Sequence, residues 1–106
     1  MQTFQLHNLE NQFTEHGQPY FEFLRVPSMS LGLYRLPIGK TDLQSPHKQD
    51  EAYYVLSGKA HLEVNGQREA AIPGSILFVE AGAAHKFVDI EEDLELLVFF
   101  APAENS

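Results

Sequence analysis

An all-β fold, a barrel or a sandwich, is what this sequence predicts, and three observations carry the prediction. Glycine and proline punctuate the chain at near-regular intervals, at Gly17, Pro19, Pro27, Pro37, Gly39, Pro46, Gly58, Gly66, Pro73, Gly74 and Gly82. Between these breaks lie runs of strand length rich in Phe, Tyr, Val, Ile and Leu. A helix, by contrast, is hard to place. The one helical window, Leu6 to Phe13, is short, has no capping residue and breaks at Gly17. Many short strands so spaced point to a barrel or a sandwich.

In chain order the predicted strands are Tyr20 to Val26, Ser30 to Leu36, Ala52 to Leu56, Ala60 to Val64, Arg68 to Ile72, Ile76 to Val79, Lys86 to Ile90 and Leu94 to Ala101. The alternation is cleanest where Ala60, Leu62 and Val64 interleave with His61 and Glu63. Asn65-Gly66 follows, suited to a two-residue hairpin turn that needs positive φ twice. Leu96 to Phe100 is apolar on both parities and predicts a strand covered on both faces. Five of the fifteen acids fall between Asp89 and Glu95, which predicts a solvated turn joining the last two strands. A calcium loop is a poor fit there, because the glycine and the ligand spacing are missing.

The 106 residues suffice for one domain, 1–106, and 43% hydrophobic with 21% charged is a globular composition. Seven Lys and Arg against fifteen acids give a net charge of −8. That balance argues against nucleic acid and against an anionic membrane surface as partners. Cysteine is absent, so disulfides, thiolate metal sites and a cysteine nucleophile are excluded. No apolar run approaches a membrane span, and Met1-Gln2-Thr3-Phe4 lacks the basic start of a secretory signal, so the expected localisation is cytoplasmic.

Without cysteine, the five histidines are the only nitrogen side-chain ligands for a transition metal. His7 and His16 lie in a polar stretch and His61 on the polar parity of its strand, so all three are expected at the surface. His47 and His85 stand apart. His47 and Glu51 share a parity, yet four residues of straight strand span about 13 Å, so the chain must bend between them to serve one ion. Glu51 heads an otherwise apolar parity with Tyr53 and Val55, where an acid is costly unless paired, hydrogen-bonded or metal-bound.

Gly39-x5-Ser45-x-His47-x3-Glu51-x6-Gly58 resembles the first motif of the cupin superfamily, G-x5-H-x-H-x3–4-E-x6-G. Pro73-Gly74-x5-Glu80-x-Gly82-x2-His85-x3-Asp89 is similar to the second, G-x5-P-x-G-x2-H-x3-N. The motifs occupy 39–58 and 74–89, and the 15 residues between Gly58 and Gly74 match the short spacer of small bacterial cupins. The resemblance implies a double-stranded β-helix, the jelly-roll barrel, as one domain with a metal inside and a homodimer in solution. Tyr20 to Leu24 is the apolar edge expected to pair two copies.

Carried over position by position, the metal ligands it implies are His47, Glu51 and His85. Ser45 replaces the expected first histidine and is suited to holding a water, while Gln49 is a possible additional oxygen ligand. Glu80 and Asp89 stand where the family has Pro and Asn. Two histidines and a carboxylate suit iron, manganese, nickel, zinc or cobalt. Tyr53, Val55 and Phe87 share the ligands' parities and are expected to line the cavity, with Phe99 or Phe100 closing it; Glu51 and Tyr53 are the acid–base candidates. The function expected is that of a metal-dependent dioxygenase, another oxidoreductase or an isomerase acting on a small organic molecule. The alternatives are a non-catalytic binding or sensor module with a degenerate metal site, and a structural dimer.

Overall fold

The computed structural model describes residues 1–44 and 46–104, so Ser45 lies outside the described residues. One helix, α1 (Leu6–His16), precedes six strands, β1 (Tyr20–Val26), β2 (Met29–Leu36), β3 (Asp50–Val64), β4 (Gln67–Ala71), β5 (Ile76–Val79) and β6 (His85–Ala101). All pairings are antiparallel, in the order β1-β2-β6-β3-β4, with β5 on β3. The β3–β4 turn is the predicted one, with positive φ at both Asn65 and Gly66.

Two predicted interruptions are absent. The strands expected at 52–56 and 60–64 are one, because Gly58 bends β3 without ending it. The β3–β6 register shifts on both sides of Gly58, as at a β-bulge, and a Cβ there would stand 2.2 Å from the Asp93 carbonyl oxygen. Only glycine admits that approach at φ +96°. Likewise the acidic stretch 89–95 is not a solvated turn but the middle of β6. Its charges have partners across the sheet: Glu91 meets Lys59 at 3.2 Å, Asp89 meets Arg68 at 2.9 Å, and Glu95 meets Arg35 at 2.6 Å. Cross-strand neutralisation lets the backbone keep its ladder.

The helix is the other correction. Gly17, which argued against it, is its left-handed C-cap at φ 78°. No side chain caps the N-terminus. Tertiary burial supplies the stability instead: Leu9 and Phe13, one turn apart, pack on Leu33 with Phe21, Phe23, Leu56 and Leu97 around them. Arg35 lies over the Phe13 ring at 4.3 Å.

That helix explains the double-sided strand. Leu96, Val98 and Phe100 of β6 join the barrel core, while Leu97 on the opposite parity packs beneath α1. The helix also takes up part of the β1 edge, where Phe21 stacks on Phe13 at 5.9 Å. Among the described residues no helix is long and apolar enough to cross a membrane.

Candidate metal centre

Three side chains from three segments converge at one end of the barrel. Glu51 enters on β3, level with Val79 of β5 and Phe100 of β6. His85 is the first residue of β6. His47 comes from the loop before β3, and residues 47–49 are outside the strand, so the bend required by its spacing from Glu51 is present. The two motif segments are bolted together: Gly82 N donates to the His47 carbonyl at 2.7 Å, and Ala81 N to Asp50 Oδ1 at 2.9 Å.

His85 Nε2 lies 2.9 Å and His47 Nε2 3.9 Å from Glu51 Oε1, and one ligand atom from each residue falls within 4.8 Å of the others. Two ligands about 2.1 Å from one ion are at most about 4.2 Å apart, so both distances to Glu51 suit a shared metal. The hydrogen-bonding pattern supports that fit. His85 Nδ1 donates to the Ala83 carbonyl at 2.9 Å, which leaves the Nε2 lone pair of the neutral ring aimed at the carboxylate. Glu51 Oε1 and His85 Nε2 are both buried, and among the described residues neither has an assigned partner beyond the 2.9 Å contact between them. Two facing electron-rich atoms in a buried site call for a cation or a proton between them. Burial opposes charge on His85, but Glu51 and the Ala83 carbonyl outweigh it and hold the imidazole above its ordinary pKa.

Beside this cluster opens a cavity of about 170 Å³, walled by Val98, Phe100, Tyr20 and Tyr34, with Gln44 and Glu104 as further polar groups. Phe100 closes the wall as expected; Phe99 does not. Tyr53, Val55 and Phe87, expected to line the cavity, are almost wholly buried in the core instead. Tyr53 still touches the site from behind, its hydroxyl donating to Gln44 Oε1 at 3.2 Å. Burial and the neighbouring Glu51 raise that phenol well above its ordinary pKa, so it stays a donor.

Several of these residues carried no sequence signal. Asp42, only 4% exposed, accepts from Tyr34 Oη at 2.7 Å, Gln44 Nε2 at 2.7 Å and Phe87 N at 2.8 Å. Gln49, the possible additional oxygen ligand, is buried and is not among the residues lining the cavity, whereas the Gln44 amide meets His47, with Oε1 3.3 Å from Nε2. Tyr20 reaches in over Gly32, where a Cβ would meet its ring at 2.4 Å. Glu104 arrives from beyond β6, its backbone N bonded to Ser30 Oγ at 2.9 Å and its carboxylate 3.9 Å from His47 Nδ1. The remaining histidines stay apart: His7 and His16 are exposed, and His61 is half-buried beside Asp89.

Known proteins agree with this architecture. The chain is 46% identical over 105 residues, 99% of its length and 100% of the other's, to the uncharacterized protein SCO3923 of Streptomyces coelicolor. The crystal structure of TT1209 from Thermus thermophilus superposes with a TM-score of 0.79 at 26% identity, covering 97% of this chain and 99% of that one. An RmlC-like cupin from Shewanella frigidimarina superposes at 0.72 with 20% identity, over 79% and 75% of the two chains, a likeness of fold alone. The family model described as the cupin domain matches residues 32–100. With its double-stranded β-helix strand order and both motifs in place, the chain belongs to the cupin superfamily, as one of its small bacterial-type members.

Proposed function

We propose that this protein is a metal-dependent enzyme acting on a small organic molecule in the barrel cavity, with a divalent transition metal on His47, Glu51 and His85. The observation that carries the reading is the buried pair Glu51 Oε1 and His85 Nε2, 2.9 Å apart and with no assigned partner beyond each other among the described residues, next to an open apolar cavity. When bound, such an ion supplies Lewis acidity and a template for substrate oxygens, and redox chemistry if it is iron.

The residues of the chain do the rest. Val98 and Phe100 give the cavity an apolar wall that limits water. The Tyr20 and Tyr34 phenols, raised above their ordinary pKa chiefly by burial, keep their protons and offer hydrogen bonds rather than act as bases. Tyr20 Oη, itself buried, has no hydrogen-bond partner among the described residues. Glu104 places a carboxylate at the cavity without engaging a ligand position.

Oxidation on iron(II), as in a dioxygenase, is the reaction class this donor set suits first, because two histidines and one carboxylate leave positions for substrate and dioxygen. An isomerase is the next. A second reading, a binding module without turnover, draws support from Ser45 in place of a motif histidine.

Metal analysis of protein purified without added metal decides the first branch. Near-stoichiometric metal that His85→Ala abolishes is expected, and less than about 0.1 equivalent refutes the reading. Oxygen consumption with iron(II) and a panel of diketones, flavonols and aromatic diols then separates the classes. Metal binding with silence across the panel favours the binding module.

A further inference from the structure

We propose that Gln44 supplies a fourth protein ligand to this metal centre through its side-chain oxygen, in place of the histidine that the first motif lacks at Ser45. The inference rests on the metal-site reading above and adds a ligand that the motif does not contain.

The orientation of the amide is the first support. Gln44 Nε2 stands 2.7 Å from Asp42 Oδ2. Only the NH2 end of an amide can face a carboxylate, so Oε1 must point the other way. It points at the site, 3.3 Å from His47 Nε2 and 3.2 Å from Tyr53 Oη. Asp42 cannot readily swing aside, because Tyr34 Oη on β2 and the Phe87 amide on β6 hold it.

Spacing is the second. Two ligands about 2.1 Å from one ion, at octahedral to tetrahedral angles, lie about 3.0–3.4 Å apart. The 3.3 Å between Gln44 Oε1 and His47 Nε2 matches that, as the 2.9 Å between Glu51 and His85 comes close to it. The oxygen also has capacity. A carbonyl oxygen carries two lone pairs, and Tyr53 occupies one of them.

Electronics and the partner's tautomer agree. A carboxylate hydrogen-bonded to the amide NH2 draws electron density toward Oε1 and makes it a stronger donor. His47 Nε2 must give up its hydrogen to ligate, and Nδ1 across the ring faces the Glu104 carboxylate at 3.9 Å, which favours a hydrogen on that nitrogen by charge without a direct hydrogen bond. The resulting set of two imidazoles, a carboxylate and an amide oxygen is harder than the family's three histidines and one glutamate. It should favour manganese(II) or iron(II) more than that set does.

The test is manganese(II) titration of the full chain, with free ion read by electron paramagnetic resonance and bound waters by water-proton relaxation. Gln44→Met, which keeps the bulk, and Gln44→Ala, which removes it, are compared with wild type and His85→Ala. Melting temperatures show which variants fold. The expected result is a loss of affinity on the order of tenfold to a hundredfold in the folded Gln44 variants. The bound ion should also gain one water, a change that a purely structural role would not produce. Unchanged affinity and water number in a folded Gln44 variant, with the ion lost in His85→Ala, would overturn the Gln44 ligand and leave the three-residue site standing. A wild-type chain that binds neither manganese(II) nor zinc would overturn both.

Discussion

Asp42→Ala is the perturbation from which the most can be learned, because one buried carboxylate anchors three donors from three parts of the chain. Its partners are the Tyr34 hydroxyl, the Gln44 amide and the Phe87 backbone N–H, all within 2.8 Å. Phe87 is 2% exposed, so its N–H would be left in the core without water or another acceptor. An orphaned buried donor costs about 1–3 kcal/mol, and each bond to a charged acceptor contributes about 1.5–3. Tyr34 and Gln44 border the cavity and can recover water, so the whole loss should fall near 3–5 kcal/mol, well short of the sum. For a chain of this size that is a drop in melting temperature of roughly 12–25 °C. Urea denaturation gives the free energy directly, and Asp42→Asn, which keeps one acceptor oxygen, should lose less than half as much. A loss below about 1 kcal/mol for Asp42→Ala would show that these bonds do not hold the loop.

Gly58→Ala should destabilise by more than about 2 kcal/mol, since a Cβ would clash with the Asp93 carbonyl and φ is +96°; an unchanged urea midpoint would contradict the bulge. The Glu10 carboxyl is pushed up to about 7 by its hydrogen bond to Glu95, with burial and the charge of Glu95 adding. A pKa raised in the folded state gives stability that is complete below about 4.5 and fades as pH rises through about 7. Wild type should therefore lose melting temperature from pH 5 to pH 8 relative to Glu10→Gln, modestly because the group is largely solvated; parallel profiles would be the contrary result. Ile76 and Phe78, 76% and 66% exposed on β5, leave a bare apolar face suited to self-association. Light scattering after size exclusion should report roughly twice the 12.0 kDa chain mass, and a monomer mass would exclude the dimer.

How much was legible follows the range over which each signal acts. Strand positions were readable because alternation and Gly/Pro punctuation are local. The Asn65-Gly66 turn and the two-sided character of Leu96 to Phe100 were readable for the same reason. The His47, Glu51 and His85 cluster was readable because two spaced motifs carry it, and an acid at the head of an apolar parity needs a partner. What only the tertiary structure decided depends on partners far along the chain. Gly58 and the acidic run looked like breaks until β3 and β6 paired across them and supplied the close approach and the counter-charges. The helix lacked a local cap and is held by Leu33 and Leu97, strands away. Gln44 and Glu104 became site residues only when Asp42 turned one amide and Ser30 tied down one tail. A sequence records which side chains alternate; which distant donor meets which acceptor is set when the barrel closes.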